Sequence, residues 1–416
     1  MSDVQSINKL PAGWQCIKLG DVGEVGSGVT LGRALRRSVT RSVPYLRVAN
    51  VKDGQLDLSY VKDIEATESE IDKCRLEPGD LLLTEGGDPD KLGRGTVWKG
   101  ELPECIHQNH IFRVRFPKDK FSPEFLSGLM SSEYGKAYFL AHAKQTTGIA
   151  SINQKVLKAF PLLVPSLPEQ KRIAALLSKH MAVVEKARAA AEERLKAAKE
   201  LPLAYLRQVF ENEDARGWPK KKIGDFAKVQ SGYAFKSEWF AKSGIRLLRN
   251  ANVSQGCLDW NDAVYLPEDR RTEFASYELT EGDIVLSLDR PWVSNGLKVS
   301  RLSDSDLPCL LLQRVGRFCV NDNIDRDYLY TFLNSPSFID EITEHDQSLG
   351  VPHVSPKQVE GISIPVPSRA RQLEVAREMM RRKTTAERLV VIHEEELTAI
   401  NSLPAALLRM AYSGDM

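Results

Sequence analysis

The chain contains one stretch of its own sequence twice. Residues 145–210 align with 347–412 at a constant offset of 202, without a gap, and 18 of the 66 positions are identical. The shared residues include Gln145/Gln347, Gly148/Gly350, Lys155/Lys357, Pro165/Pro367, Gln170/Gln372, Leu201/Leu403, Pro202/Pro404 and Arg207/Arg409. Upstream the match continues with small slips. Gly13-Trp14, Leu19-Gly20-Asp21 and Ser27-Gly28 recur as Gly217-Trp218, Ile223-Gly224-Asp225 and Ser231-Gly232, and Ala49-Asn50-Val51 recurs as Ala251-Asn252-Val253. A period near 200 is too long for a solenoid unit. It describes one domain-plus-connector module, present twice.

At 416 residues, two to four domains are expected, each half being large enough to bury a core. No apolar run reaches membrane-spanning length, and Met1-Ser2-Asp3-Val4-Gln5 has neither the basic flank nor the apolar stretch of a signal peptide. Six cysteines without CxxC or zinc spacing suit reduced, mostly buried thiols in a cytoplasmic protein; Cys16, Cys74 and Cys105 find no counterpart in the second half. The net charge is +1, so any attraction to nucleic acid must be local rather than global.

Four segments follow one another: 11–167 and 213–367 as globular domains, 168–212 and 368–416 as helical connectors. In the first domain, apolar runs at Tyr45–Val51, Asp80–Thr84 and Ile111–Phe116, bounded by Gly, Pro and Asp, predict strands, and the spacing over Pro123–Leu140 predicts a helix. The second domain copies the plan, with strands near 245–249, 283–288 and 310–318 and a helix near 326–342. In the first connector, Pro168 and Glu169 suit a helix start, and Ile173, Leu177, Val184, Ala187, Ala191, Leu195 and Ala198 form a stripe at helical spacing. This predicts about 45 Å of helix. Val375, Met379, Ala386, Leu389, Ile400 and Leu403 form a similar stripe in the second. Small residues along the seam suit two helices side by side; a long helix packed on its own domain is the alternative. Pro202 and Pro404 predict a bend at the same place in each connector.

No catalytic constellation stands out. There is no GxxxxGK[ST] loop, and no proline pair that an Asn/Asp-Pro-Pro-aromatic methyltransferase loop would need. His107 and His110 have HxxH spacing, but no third metal ligand is near in sequence, and a structural or DNA-facing loop fits better. Cationic and polar residues suited to phosphates and base edges cluster in loops: Arg33, Arg36, Arg37 and Arg41; Lys91 and Arg94; Gln108, Asn109 and His110; then, in the second domain, Tyr233, Lys236, Arg249, Arg290, Lys298, Gln313 and Arg314. A solvated surface accounts for any one of them taken singly. The loop Glu85-Gly86-Gly87-Asp88-Pro89-Asp90 differs from its counterpart Ser287-Leu288-Asp289-Arg290-Pro291, and divergence on a kept framework suggests recognition rather than catalysis.

The order of motifs resembles the specificity subunit of type I restriction–modification systems. The carriers are the two Gly-Trp…Gly-Asp…Ser-Gly openings, the strands Gly79-Asp80-Leu81-Leu82 and Gly282-Asp283-Ile284-Val285, the segments Gly148…Lys155 and Gly350…Lys357, and Pro165-Ser166-Leu167-Pro168-Glu169-Gln170. Pro367-Ser368-Arg369-Ala370-Arg371-Gln372 departs from the last by losing Pro-Glu. The resemblance covers nearly the whole chain. It implies a mixed α+β fold: two globular α/β target recognition domains separated by a pair of long antiparallel coiled-coil helices, in a pseudo-two-fold internal repeat. It implies double-stranded DNA as ligand, no catalysis in this chain, and two modification (methyltransferase) subunits docked on the helices. S-adenosylmethionine, ATP and Mg are then expected on partner subunits, including two restriction (ATPase/nuclease) subunits where these are present, and none in this chain. Two other readings fit the residues alone: a methyltransferase fused to a recognition domain, and a coiled-coil adaptor whose globular domains bind protein.

Overall fold

Leu81-Leu82-Leu83 is an unbroken apolar run, and a computed structural model of the chain shows why: the strand Leu81–Thr84 is covered on both faces. The structure describes residues 11–34, 39–87, 92–146, 149–293, 296–344 and 353–413. They divide into two compact units, one made of residues up to Ala191 together with those from Glu395 onward, the other of Glu192–Glu394.

In the first unit a four-stranded antiparallel sheet runs in the order Glu24–Ser27, Ile111–Arg115, Leu81–Thr84, Gly95–Val97. Side chains alternate across it. Leu81 and Leu83, with Val114 and Phe112 opposite them, enter a core shared with Phe125, Leu129, Phe139 and Phe160; Leu82 and Ile111 face the other way, towards Leu46, Val51 and Trp98. A three-stranded sheet follows, in which Arg41–Leu46 pairs antiparallel with Lys62–Ala66 and parallel with Ile106–His107. The second unit repeats both sheets in order and sense. Ala227–Ser231, Val315–Val320, Ile284–Ser287 and Val299–Arg301 form the first; Val264–Leu266, Ile245–Leu248 and Cys309–Leu311 form the second. Each unit also closes with a two-stranded ribbon, Gln15–Lys18 on Pro161–Val164 and Lys220–Lys222 on Ser363–Pro365.

Paired polar residues explain much of the repeat. Asn50 and Asn252, both buried, each accept from a backbone N–H three residues earlier and donate to a carbonyl seven residues later, Asp57 O and Asp259 O, both at 2.8 Å. Asp80 and Asp283 each cap the turn before their strand. Gln170, 1% exposed, accepts from Ser122 N at 3.0 Å and donates to Pro165 O at 2.9 Å; Gln372, 2% exposed, does the same with Asp325 N and Pro367 O. A buried amide with both ends satisfied ties the first turn of each connector to its domain.

The single helix expected over Pro123–Leu140 is two, Pro123–Ser131 and Glu133–His142, because Ser132 is extended (φ −69°, ψ 167°) and caps the second. The same break divides Arg326–Leu333 from Pro336–Glu344, and the run near 310–318 is likewise two strands. The connectors are helices over Leu167–Phe210 and Arg369–Ser413, and both continue through Pro202 and Pro404. Their expected stripes are largely buried, but Leu403 is 42% exposed. In the second unit, Lys199 meets Glu394 at 3.0 Å, while Arg382 lies over the Tyr205 ring and donates to Gln208 at 2.8 Å. Rising numbers on one helix meet falling numbers on the other, so the two run antiparallel there, side by side. Each helix ends on an aromatic anchor: Phe210 packs on Tyr328 and Phe332, and Tyr412 packs on Phe125 and donates to its carbonyl at 2.7 Å.

The cysteine expectation needs correcting. Cys16, Cys257 and Cys319 are exposed, and Cys105 does have a counterpart, Cys309. The two precede or open equivalent strands, and their carbonyls accept from Leu76 N and Leu279 N. The offset is 204 rather than 202, which hides the match. Burial pushes both thiols up to about 12.

Candidate nucleic-acid interface

In each unit the strand at the centre of the four-stranded sheet ends beside the turn that leads into its neighbour. In the first unit Glu85 N donates to His110 O, and in the second Leu288 N donates to Arg314 O, at 3.0 and 2.8 Å. Ile152 N and Val354 N then donate to Glu85 O and Leu288 O. The turns Gln108-Asn109-His110 and Leu312-Gln313-Arg314 are therefore the same place in two copies, held by the same backbone bonds and carrying different side chains. A glycine makes each approach possible: a Cβ on Gly28 would lie 1.9 Å from His107 O, and one on Gly232 would lie 2.2 Å from Leu312 O.

Around the first turn, His110 Nδ1 meets Glu85 Oε2 at 2.6 Å, and Thr84 N donates to Arg94 O at 2.9 Å, so His110 and Arg94 share one strand end. Asn109 N donates to Val29 O, and its carbonyl accepts from Ser27. His107 is fully buried, its Nδ1 3.0 Å from Ile111 O and its Nε2 without a partner. Burial, helped by the Arg113 charge, lowers its pKa to about 4, so it is a neutral core histidine.

Arg33 and Arg41 stand elsewhere, at the start of the helix Glu68–Cys74. Arg33 forms a two-pronged pair with Glu70 and donates to Glu65 O; the pair holds the Glu70 carboxyl down at about 2. Arg41 pairs with Glu68 and Glu104, both at 2.5 Å. Their charge is spent on carboxylates of the same unit. Arg36, Arg37 and Lys91 lie outside the described residues.

Around the second turn more of the expected residues converge. Gln313 N donates to Tyr233 O at 2.8 Å, and the Tyr233 ring packs with Phe235, Phe274 and Tyr277. Arg314 pairs with Asp289, whose other oxygen meets His353 Nδ1 at 2.5 Å. Arg290 is exposed beside Asp289, and the Lys298 backbone bonds Ser287 and Pro291 in the same hairpin. Lys236 is 5.6 Å from the Trp239 ring centre and 3.8 Å from Glu238. Arg249 pairs with Asp262 at 2.8 Å and stands apart. Asp289 and His353 carry no local signal in the sequence, since their contact spans 64 residues.

No group of three or more His, Cys, Asp or Glu suited to a metal occurs among the described residues, nor does any helix there long and apolar enough to cross a membrane.

The family model described as the type I restriction modification DNA specificity domain matches twice, over residues 11–193 and 215–383. The chain belongs to this family. Among curated relatives, the type I restriction enzyme EcoAI specificity subunit of Escherichia coli is 41% identical over 52% of this chain and 36% of its own length, so this match spans about a third of that relative. The MjaVIII specificity subunit of Methanocaldococcus jannaschii is 26% identical over 98% of this chain and 93% of its own length. Solved structures share the fold. A chain from work on complex assembly and conformational transition of the type I R-M system superposes with a TM-score of 0.75 at 18% identity, covering 98% of this chain and 100% of that one. The HsdS subunit from Thermoanaerobacter tengcongensis gives 0.66 at 18% identity, covering 99% of each. Members of this specificity family are thus similar to the chain along its length, and the mixed fold with two domain copies and a long helix between them is theirs.

Proposed function

We propose that the chain is the sequence-specific, non-catalytic DNA-binding subunit of a type I restriction–modification complex, acting in the cytoplasm. The domains over 11–167 and 213–367 each read one half of a bipartite, asymmetric site on double-stranded DNA, and the helical segments 168–212 and 368–416 dock two methyltransferase subunits. S-adenosylmethionine, and ATP with Mg where restriction subunits join, belong to those partners. The observation that carries this reading is the pair of equivalent turns, Gln108-Asn109-His110 and Gln313-Arg314: the same backbone scaffold presents different hydrogen-bonding groups in the two copies. A shared scaffold gives two readers of one geometry, and unlike side chains give them unlike targets. In the first copy Arg94, Gln108, Asn109 and His110 are the candidate contacts, in the second Tyr233, Lys236, Arg290, Lys298, Gln313 and Arg314. Arg33, Arg41 and Arg249, already paired with carboxylates, contribute to positioning. Methylome sequencing of cells with and without this chain tests the reading. Loss of one two-part methylated motif is expected on deletion, and an unchanged set of methylated sequences contradicts it.

A further inference from the structure

Among the described residues two non-glycine residues adopt left-handed backbone, Arg290 at φ 46° and Arg314 at φ 71°. Both are arginines, and both adjoin Asp289, one in sequence and one by ion pair. A left-handed arginine costs energy that a glycine there would not. Such strain persists where the surroundings impose it, and it concentrates at working sites.

What the two arginines share is one neighbouring carboxylate, while the Arg314 backbone is held by the bond from Leu288 N to its carbonyl. The Asp289 side chain is 10% exposed, whereas those of Arg314 and His353 are 59% and 54% exposed. One carboxylate oxygen takes Arg314 and the other takes His353, and Ser287 Oγ donates to the Asp289 carbonyl at 2.7 Å. Burial pushes the Asp289 carboxyl up, but the bonds from Arg314 and His353 outweigh it and hold the group below the usual carboxylate range. Because a carboxylate only accepts, His353 carries a proton on Nδ1. The first copy has less: one His110–Glu85 pair, with Gly86 where the second has Asp289.

We propose that Asp289 is the positioning residue of a reading cluster in the second unit, fixing Arg314 so that its remaining guanidinium edge bonds the paired O6 and N7 acceptors of a guanine, with His353 braced beside it. This rests on the DNA-reading function proposed above. A base edge fits better than a phosphate. The buried anion offsets the arginine's charge, which weakens a contact that works by charge neutralisation. It also fixes the orientation of the planar fork, which strengthens a contact that works by geometry.

Two variants of the full chain test the proposal by methylome sequencing in cells that carry the rest of the complex. R314G removes the guanidinium fork while relieving the left-handed strain, which partly offsets the loss of a partner for Asp289. The chain should still fold, as its thermal midpoint reports, while the preference for guanine at one position of one half-site falls about tenfold or more. D289N keeps the side-chain volume and should relax the same position, leaving the other half-site as strict as in wild type. If wild type itself shows no bipartite motif, the DNA-reading function fails. If wild type shows the motif and R314G leaves every position unchanged, or weakens methylation of all sequences alike, the positioning role of Asp289 is overturned while the broader function stands. D289N, if it folds too poorly to methylate, leaves R314G to decide.

Discussion

The two turns that close the central strands differ more than anything beneath them. In the first unit a histidine leans on a half-buried glutamate; in the second an arginine and a histidine share one nearly buried aspartate. Below them Asn50 and Asn252, Asp80 and Asp283, and Gln170 and Gln372 make the same bonds to the same backbone atoms. The comparison separates two kinds of constraint. Residues that satisfy buried backbone groups cannot drift without cost, because each lost partner leaves an orphan. The His110 and Arg314 side chains at the turn tips are more than half exposed, so they are free to differ, and under the proposed function difference there changes what is read.

Matching substitutions should therefore have matching effects in the framework. Gly28→Ala and Gly232→Ala both drive a methyl into a carbonyl that no side-chain rotation can move. Each should cost about 3 kcal/mol or more by chemical denaturation. A large cost in one unit and a negligible one in the other breaks the shared-framework account.

His107 sharpens the contrast from the other side, since its counterpart in strand register is Leu311. Its pKa in the fold, about 4, lies below the unfolded value of about 6.5. Its neutral form is therefore favoured by folding, and the associated stability is present above pH 6.5 and is lost as pH falls towards 4. The loss between pH 7 and pH 4 is on the order of 3 kcal/mol. His107→Leu should abolish that part of the acid sensitivity, and an unaltered pH profile of the variant refutes the assignment. Glu70 acts lower on the scale: the Arg33 pair depresses its carboxyl, so that contribution fades only between the ordinary carboxylate range and about pH 2.

Smaller effects follow for the ties between domain and connector. Gln170→Leu and Gln372→Leu each strand a buried backbone N–H, at Ser122 or Asp325, and should cost about 2 kcal/mol apiece in equal measure. Least of all, Lys199→Glu faces Glu394 across a half-exposed pair and should cost no more than about 1 kcal/mol, diminishing in high salt.

The large features were legible in the sequence because they rest on local pattern. The ungapped repeat located the connectors, and the 3- and 4-residue apolar steps located the buried faces of both helices. What the sequence concealed depends on contacts far along the chain. Arg33 and Arg41 look like free cations until Glu70, 37 residues on, and Glu104, 63 residues on, arrive beside them. The Cys105/Cys309 equivalence is masked by a two-residue slip in the loops between. The break at Ser132 leaves the apolar spacing almost in phase, so periodicity runs straight across it. Asp289 and His353 meet only because the backbone at His353 pairs antiparallel with Asp289, just past the end of the strand Ile284–Ser287.

The central claim is that two copies of one reader each recognise half of a DNA site. Replacing residues 11–167 with a second copy of 213–367 tests it most directly, with the methylated motif of the resulting chain read by sequencing. Two copies of the second reader should specify a palindrome, the same half-site repeated in inverted orientation. Retention of the original asymmetric motif, or of a single unpaired half-site, contradicts the claim.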